Sequence, residues 1–168
     1  MNRKQIRGMR CSVARALSAV GDRWSILILR EAFLGVKRFE LFRERLSVAR
    51  NILTARLQEL VREGILEKRR YQEKPDRYEY RLTEKGLGLY PVLVTLMAWG
   101  DRWMGDDLGP PMLLVHKPCE QHLSPVVTCS HCGLLLAARD IRAVPGTGVN
   151  ISGRGTPNYT DATTTAVP

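Results

Sequence analysis

The chain has 168 residues, which is enough for one domain of ordinary size and a small appendage too short to build a core of its own. Residues 1–105 carry 22 Lys and Arg against 12 Asp and Glu, whereas residues 106–168 carry 4 against 5, so the N-terminal part is the one that attracts a polyanion such as nucleic acid. No apolar run of signal-peptide length follows the basic start, and the uncharged apolar stretch at residues 86–100 is too short to span a bilayer, so we expect a cytoplasmic protein without membrane contact.

Apolar residues at helical spacing predict four helices in the first 64 residues. The first covers residues 11–20, and the second begins after a short break and ends at Gly35. A third helix covers residues 39–46, and after a turn at residues 47–50 a fourth is closed by Gly64. Two helices joined by such a tight turn are typical of a helix-turn-helix.

The chain then changes to the period of β-strands. Residues 66–71 and 78–82 are rich in β-favouring side chains and flank the polar break at residues 73–76. This pattern predicts a hairpin with a basic tip, that is, a wing directly after the helix-turn-helix.

A last helix is predicted to begin after Thr83, which is a suitable N-cap, and to contain apolar residues as far as Trp103. Pro91 lies inside this run and should kink the helix or split it in two. The run carries more apolar surface than a helix on a small domain needs. We predict a dimer interface here, with packing inside the monomer as the alternative.

Four segments follow from these patterns. Residues 1–105 form a DNA-binding and dimerisation domain, residues 106–111 a linker, residues 112–145 a small Cys/His module, and residues 146–168 a disordered tail that lacks large apolar groups. The expected fold class is α+β: a mainly α-helical winged helix-turn-helix with a β-hairpin wing, plus a small zinc-ribbon-like appendage.

Short motifs stand in a fixed order between residues 8 and 103. They are Cys11, Gly21-Asp22-Arg23-Trp24, Arg30-Glu31, Arg38-Phe39, Leu53-Thr54, Arg56-Leu57, Leu60, Gly64, the run from Tyr78 to Thr83, Pro91 and Trp99. This set resembles the MarR-like HxlR-type family of winged-helix transcriptional regulators. The resemblance implies a homodimer that binds operator DNA and responds to a small molecule or a thiol-reactive signal. Repression is the role that the family analogy favours.

In this architecture the N-terminal residues of the fourth helix read base edges in the major groove. The inward positions of Leu53, Leu57 and Leu60 turn Asn51, Ile52, Ala55, Gln58 and Arg62 outward. Arg50, Asn51 and Thr54 are candidates for base or phosphate contact, and the alternative is that Arg50 contacts phosphate alone while Asn51 caps the helix. Basic wing residues suit phosphate contact or insertion into the minor groove, although a solvated charged face is an alternative. The full candidate set is Lys37, Arg38, Arg50, Asn51, Thr54, Ala55, Gln58, Lys68, Arg69, Arg70, Lys74 and Arg77.

The appendage combines cysteines and histidines at metal-ligand spacing. Cys129 and Cys132, followed by Gly133, have the knuckle spacing that holds zinc, and Cys119 with His122 would complete a tetrahedral set. We predict a structural zinc ion, because about thirty residues are too few to fold without such a staple. His116 or His131 is an alternative to His122, and a metal-free site with buried cysteines is the other alternative.

Cys11 stands apart from this cluster, next to Arg10 at the start of the first helix. A helix dipole and a neighbouring cation favour a reactive thiolate. In the resembled family an N-terminal cysteine serves some members as a redox or electrophile sensor, which makes Cys11 a candidate sensor. Burial as an inert small hydrophobe is the alternative.

Two other functional classes remain as alternatives to a regulator of double-stranded DNA. An enzyme could use the dithiol of Cys129 and Cys132 or a bound metal, but no nucleophile, base or cofactor loop accompanies them in the sequence. A zinc-dependent protein-interaction module with an RNA-binding domain lacks the interleaved surface aromatics that stack unpaired bases. We therefore expect a protein that is not an enzyme.

Overall fold

The computed structural model describes residues 3–144 and 146–147 and divides the chain into two compact units, Met1–Pro125 and Val126–Pro168. This division lies C-terminal to the linker predicted at residues 106–111, and the predicted domain boundaries stay a prediction. The tail predicted to be disordered, residues 146–168, lies outside the described residues except for 146 and 147.

The first unit contains most of the helices and strands. In chain order they are α1 (Arg3–Arg7), α2 (Ser12–Val20), α3 (Arg23–Phe33), α4 (Phe39–Leu46), α5 (Arg50–Arg62), β1 (Leu66–Glu73), β2 (Asp76–Leu82), α6 (Glu84–Leu87), α7 (Tyr90–Trp103), β3 (Val115–His116) and β4 (Gln121–His122). The four helices predicted before residue 64 are thus confirmed as α2 to α5, and α4 and α5 form the helix-turn-helix. The short elements α1, β3 and β4 had no periodic signal in the sequence.

The core of the first unit lies where α3, α4 and α5 meet. Leu53 and Leu57 of α5, Phe42 of α4 and Ile28 and Leu29 of α3 are completely buried. Burial of such a side chain stabilises the fold by about 1.5–3 kcal/mol, so these positions fix how α5 is presented.

One predicted orientation on α5 is wrong. Ile52 was expected to face outward, but it is half-buried and packs against the core. The buried stripe of α5 is therefore wider than the three leucine positions, as is usual for a helix that covers a core rather than a narrow seam. Asn51, Ala55 and Gln58 are exposed, as predicted.

The strands β1 and β2 form the predicted antiparallel hairpin, with Leu66 opposite Leu82 and Lys68 opposite Tyr80. The strands continue to Glu73 and Asp76, so the turn is shorter than the predicted polar break. The segment before α4 is attached to this hairpin, because the backbone N–H of Tyr80 donates to the carbonyl of Lys37 over 2.8 Å.

The predicted break near Pro91 is confirmed. Thr83 caps α6 by accepting a hydrogen bond from the backbone N–H of Gly86, and α7 begins at Tyr90 with Pro91 in its first turn. Proline fits a first turn because its missing N–H has no partner there. None of the helices in the described part of the chain is long and apolar enough to cross a membrane.

The second unit is built around a tight turn. Cys129 and Leu134 are joined by a backbone hydrogen bond of 2.8 Å, and Thr128 forms a β-bridge with Leu135. Gly133 has a φ of +72°, a conformation that glycine adopts without steric cost. A short 3-10 helix follows at Ala138–Asp140.

Candidate nucleic-acid interface

The second helix of the helix-turn-helix, α5, presents its N-terminal end to solvent. Arg50 and Asn51 are exposed and Thr54 is half-buried. The N-cap position is Ala49, which has no side chain that could cap the helix. Asn51 lies inside α5 and is not its N-cap, so the alternative in which Asn51 serves only as a cap does not hold.

A groove of about 340 Å³ separates α5 from the wing. Arg50, Thr54 and Gln58 line it from α5, and Lys68 lines it from β1. Four candidate residues from two elements thus face one space, although they are up to 18 positions apart in the sequence. Phe39, Val61 and Tyr80 complete the lining.

Arg50 is held by two groups from the start of α4. Its guanidinium donates to a carboxylate oxygen of Glu40 over 2.6 Å and lies 5.2 Å from the ring centre of Phe39. Arg43 also forms an ion pair with Glu40, at 3.0 Å. Because these side chains are exposed, the ion pairs contribute little stability and can exchange for another anion.

The wing carries further exposed cations. Arg70 donates to Glu73 over 3.2 Å and to Asp76 over 3.3 Å, so its guanidinium is turned toward the wing tip at Lys74. Arg69 forms an ion pair with Glu67 at 2.9 Å. These exposed pairs leave the wing able to take up phosphate groups. Its remaining candidate, Arg77, is also exposed.

Two residues before α4 extend this surface. Arg38 forms a β-bridge with Glu79 of β2, and its guanidinium lies 5.1 Å from the ring centre of Tyr71. Lys37 is bonded to β2 through its carbonyl, and both side chains are exposed. The loop before α4 is thus joined to the wing as well as to the helix-turn-helix.

Sequence reasoning missed Phe39, Glu40 and Tyr80 as parts of this surface. The Arg50–Glu40 contact joins residues ten positions apart across the turn, and helical periodicity carries no signal for it. Burial raises the pKa of Tyr80, which therefore stays a neutral hydrogen-bonding group beside the groove.

The candidate metal ligands are distributed over both units. In the first unit, Nδ1 of His116 lies 3.3 Å from Sγ of Cys119. In the second, hydrogen bonds from the backbone N–H groups of Cys132 and His131 lower the pKa of the Cys129 thiol. Within the described ranges, no three His, Cys, Asp or Glu side chains are grouped so that they could hold a metal ion.

All four cysteines are free thiols, and none is buried. Cys119 and Cys132 are exposed and Cys129 is half-buried, which differs from the alternative of simply buried cysteines. Cys11 is exposed at the N-cap position of α2 and makes no side-chain capping bond. Cys11 is therefore not buried, and its reactivity stays a prediction.

The model of the HxlR-like helix-turn-helix family matches residues 19–107. The HTH-type transcriptional regulator Rv3095 of Mycobacterium tuberculosis (strain ATCC 25618 / H37Rv) is 45% identical over 137 residues, which is 82% of this chain and 87% of that protein. A match over 82% of a chain of 168 residues must extend past residue 111, so it includes part of the Cys/His region.

Two solved structures are also similar to this chain. The crystal structure of PA1607, described as a transcription factor, is 37% identical with a TM-score of 0.77 and covers 84% of this chain and 99% of that one. The redox regulator HypR in its oxidized form is 33% identical with a TM-score of 0.51 and covers 55% of this chain and 96% of that one. Both are similar to this chain over the winged helix-turn-helix fold.

Proposed function

This chain is a transcriptional regulator that belongs to the HxlR-like helix-turn-helix family, and we propose that it binds a specific double-stranded DNA site as a homodimer. The observation that carries the proposal is the groove in which Arg50, Thr54 and Gln58 of α5 face Lys68 of the wing. Residues 1–105, which contain this groove, also carry the excess of positive charge. Such a surface suits a phosphate backbone on both sides of a major groove.

In the proposed complex the N-terminal end of α5 enters the major groove. Arg50 has the fork of donors that suits guanine and Asn51 has the amide that suits adenine, whereas a purely phosphate-binding Arg50 would position the protein without reading sequence. Arg50 must leave Glu40 in either case. Ala55 lies on the same exposed face and suits contact with a thymine methyl group.

The wing and the segment before α4 would then contact the backbone. Lys74 at the tip of the hairpin suits a phosphate or the minor groove, and the neighbouring arginines can exchange their carboxylate partners for phosphate. Lys37 and Arg38 suit phosphates on the side where the loop joins the wing. These contacts supply affinity, and α5 supplies the choice of sequence.

The dimer is proposed from the exposed apolar stripe of α7. Val92, Leu96, Trp99 and Trp103 recur at helical spacing and are all exposed. A stripe of this kind is costly in water and is the usual signature of an interface. A symmetric dimer would present two α5 helices to half-sites about one helical turn apart.

The test is selection of duplex sites from a random pool at near-physiological salt, with the wild-type protein and the variants Arg50→Ala and Asn51→Ala. A palindrome should be enriched by the wild type, and each variant should lose preference at defined positions. Arg139→Ala, which removes the same charge in the other unit, is the matched control. Weak binding without sequence preference, or equal binding to single strands, would contradict the proposal and favour the RNA-binding alternative.

We further propose that a thiol-reactive signal acts on Cys11. The exposure of Cys11 at the start of α2 supports this role, because an oxidant can reach the thiol. Oxidation by hydrogen peroxide would convert its thiol to a sulfenic acid, while the peroxide is reduced to water. DNA affinity should change on treatment of the wild type and stay constant in Cys11→Ser. An equal response of both proteins would contradict this role.

The structural zinc ion also remains a proposal. Thiolate and imidazole donors suit zinc, and the N–H groups directed at Cys129 from its own turn are compatible with a bound thiolate. Cys132 belongs to the same turn. Cys119 and His122 are the second pair of ligands that the sequence predicts. The contact between Cys119 and His116 supports His116 as the alternative to His122. The bound ion would supply structural cross-linking rather than chemistry.

Metal content of the purified full chain tests this proposal. One zinc per chain is expected in the wild type and none in Cys129→Ser, and comparison of His116→Ala with His122→Ala identifies the histidine. Absence of zinc from a wild-type protein purified without chelator would contradict it. A repressor acting in the cytoplasm is the role we propose for the assembled protein, and a promoter-reporter assay with and without its gene tests that role.

A further inference from the structure

The first unit contains a second cavity, which shares no residue with the groove beside the wing. It lies between α3 and α7 and has a volume of about 540 Å³. Small-ligand sites commonly measure roughly 300–1,000 Å³. The size of this cavity is therefore that of a site for one small molecule.

Most of the cavity wall is apolar. Leu27 of α3 and Leu93 and Met97 of α7 face it from opposite sides. Phe33 and Tyr90 also line it, with ring centres 4.9 Å apart and planes tilted by 53°. Such a lining favours a molecule with an aliphatic or aromatic body.

The polar part of the cavity consists of one carboxylate and two guanidinium groups. Glu31 is only 2% exposed and accepts hydrogen bonds from Arg30 over 3.0 and 2.5 Å. Arg45 lies 2.8 Å from the other oxygen of Glu31 but is not aligned for a hydrogen bond, so that buried oxygen lacks a hydrogen-bond partner. Two cations against one anion leave a net positive charge at this edge of an apolar space.

We propose that this cavity binds a small apolar molecule carrying one acidic group, and that Arg45 transmits its binding to the recognition helix. The acidic group would pair with Arg30 and Arg45, whose side chains are about half exposed and within reach. A hydroxyl beside the acidic group would donate a hydrogen bond to the Glu31 oxygen that accepts none. The second half of the inference rests on the proposed DNA-binding function.

The path to the DNA surface is short. Arg45 lies in the last turn of α4, and the turn that follows contains Ser47, in the left-handed region with a φ of 47°, before α5 begins at Arg50. The Arg45–Glu31 ion pair ties this end of α4 to α3. A ligand that draws Arg45 away from Glu31 breaks this ion pair. The turn between α4 and α5 is then free to favour another position, and α5 moves with it.

The experiment compares two fluorescent probes that share an aromatic body. 1-Anilinonaphthalene-8-sulfonate carries one acidic group, and N-phenyl-1-naphthylamine is its neutral counterpart. The full chain should bind both, and Arg45→Gln should weaken binding of the sulfonate roughly tenfold while leaving the neutral probe unchanged, because a charge-assisted hydrogen bond is lost. Arg45→Lys should retain much of the preference.

Two further variants locate the binding. Leu93→Phe fills the cavity and should weaken both probes, whereas Trp99→Ser alters the exposed stripe of α7 and should weaken neither. The inference is overturned if no probe binds, or if Arg45→Gln binds both probes as the wild type does. It is also overturned if Trp99→Ser alone reduces binding, because the probes would then bind the exposed stripe of α7 and not the cavity. Urea unfolding of each variant shows that it is folded and keeps these outcomes separable.

DNA titration with and without the sulfonate tests the transmission. The affinity for the selected duplex should change severalfold in the wild type and not in Arg45→Gln. Probe binding without any effect on DNA affinity would refute the transmission alone. If no specific duplex exists, the proposed function fails, and the probe titrations still decide whether the cavity is a ligand site.

Discussion

The guanidinium of Arg50 donates a hydrogen bond of 2.6 Å to Glu40, although the two side chains are 61% and 59% exposed. Arg50 is the first residue of the recognition helix and Glu40 lies in the first turn of α4. The free protein thus holds its principal candidate for DNA contact against an internal anion. A DNA phosphate or base must replace that anion and also approach its negative charge.

Replacement of Glu40 by Gln should therefore strengthen DNA binding. The change removes one repulsive charge and an exposed ion pair, whose worth is commonly about 0–1 kcal/mol, so we expect roughly a two- to fivefold gain in affinity. Fluorescence anisotropy with the selected duplex measures it, and the gain should shrink as salt is raised. Glu44→Gln, an exposed change on the same helix, is the control. Weaker binding by Glu40→Gln would mean that Glu40 positions Arg50 productively.

The N-cap of α3 gives a second prediction. Asp22 accepts a hydrogen bond from the backbone N–H of Trp24 over 3.0 Å and forms an ion pair with Arg56 at 3.2 Å. Asp22→Ala should lower the free energy of unfolding by about 1 kcal/mol, because an N–H at the helix start loses its acceptor. Asp22→Asn keeps the cap and should cost only a few tenths of a kcal/mol. Equal losses in urea unfolding would assign the effect to the ion pair instead.

Gly86 is required by a close approach between α6 and the end of the helix-turn-helix. A Cβ atom at this position would lie 2.3 Å from the carbonyl oxygen of Ile65, which is backbone and cannot move away cheaply. Gly86→Ala should lower the free energy of unfolding by about 1–3 kcal/mol. Gly88→Ala has room and an ordinary φ of −60°, so it should be neutral or stabilise by about 0.4–1 kcal/mol. Tolerance of both changes would contradict the packing described for α6.

Tyr80 gives a pH dependence with a definite sign. Burial raises its pKa above that of an unfolded tyrosine, about 10, so folding favours the neutral phenol. The free energy of unfolding is unaffected by Tyr80 below pH 10 and decreases as the pH rises above it. Urea unfolding at pH 9 and pH 11 should show a larger loss in the wild type than in Tyr80→Phe. If the loss of unfolding free energy is the same in the wild type and Tyr80→Phe but smaller in Tyr78→Phe, the pH dependence belongs to Tyr78 instead.

The sequence predicted α3, α4 and α5 within a residue or two because their apolar stripes repeat over two or more turns. It also predicted the break at Pro91, because proline has no N–H to donate to the carbonyl one turn earlier and so interrupts a helix in any context. The strands β3 and β4 have two residues each, too few for any period to appear. They pair with each other across a short turn, Val115 with His122 and His116 with Gln121, and such a turn leaves no period in the sequence.

The candidate DNA surface was predicted only in part, because spacing along one helix is visible in the sequence and contacts between helices are not. Positions on one helix, such as Thr54 and Gln58, follow from spacing alone, whereas the contact of Arg50 with Glu40 depends on how the turn places α4 beside α5. The buried Glu31 is the clearest case. Nothing local in its sequence distinguishes it from a solvated charge, and its role appears only when Arg30 and Arg45 meet it in the folded chain.

The stripe on α7 gives the last prediction. Trp99 is 55% exposed and has Leu96 and Trp103 one turn away on either side, so an apolar face is offered to solvent. Trp99→Glu would place a charge in the centre of the proposed interface, where burying it without a partner costs several kcal/mol. Sedimentation should show a dimer for the wild type and a monomer for the variant. DNA affinity should fall with it, because one protomer holds only one α5.

The matched control is Leu108→Glu, which adds the same charge at a side chain that is 92% exposed beyond the end of α7. It should sediment as the wild type does, since a charge that stays in water costs little. A dimeric Trp99→Glu would remove α7 from the interface and leave the exposed Val13 and Leu17 of α2 as the surface to test next. A wild-type protein that is monomeric at every concentration, and still binds the palindrome, would show that the two half-sites are filled independently.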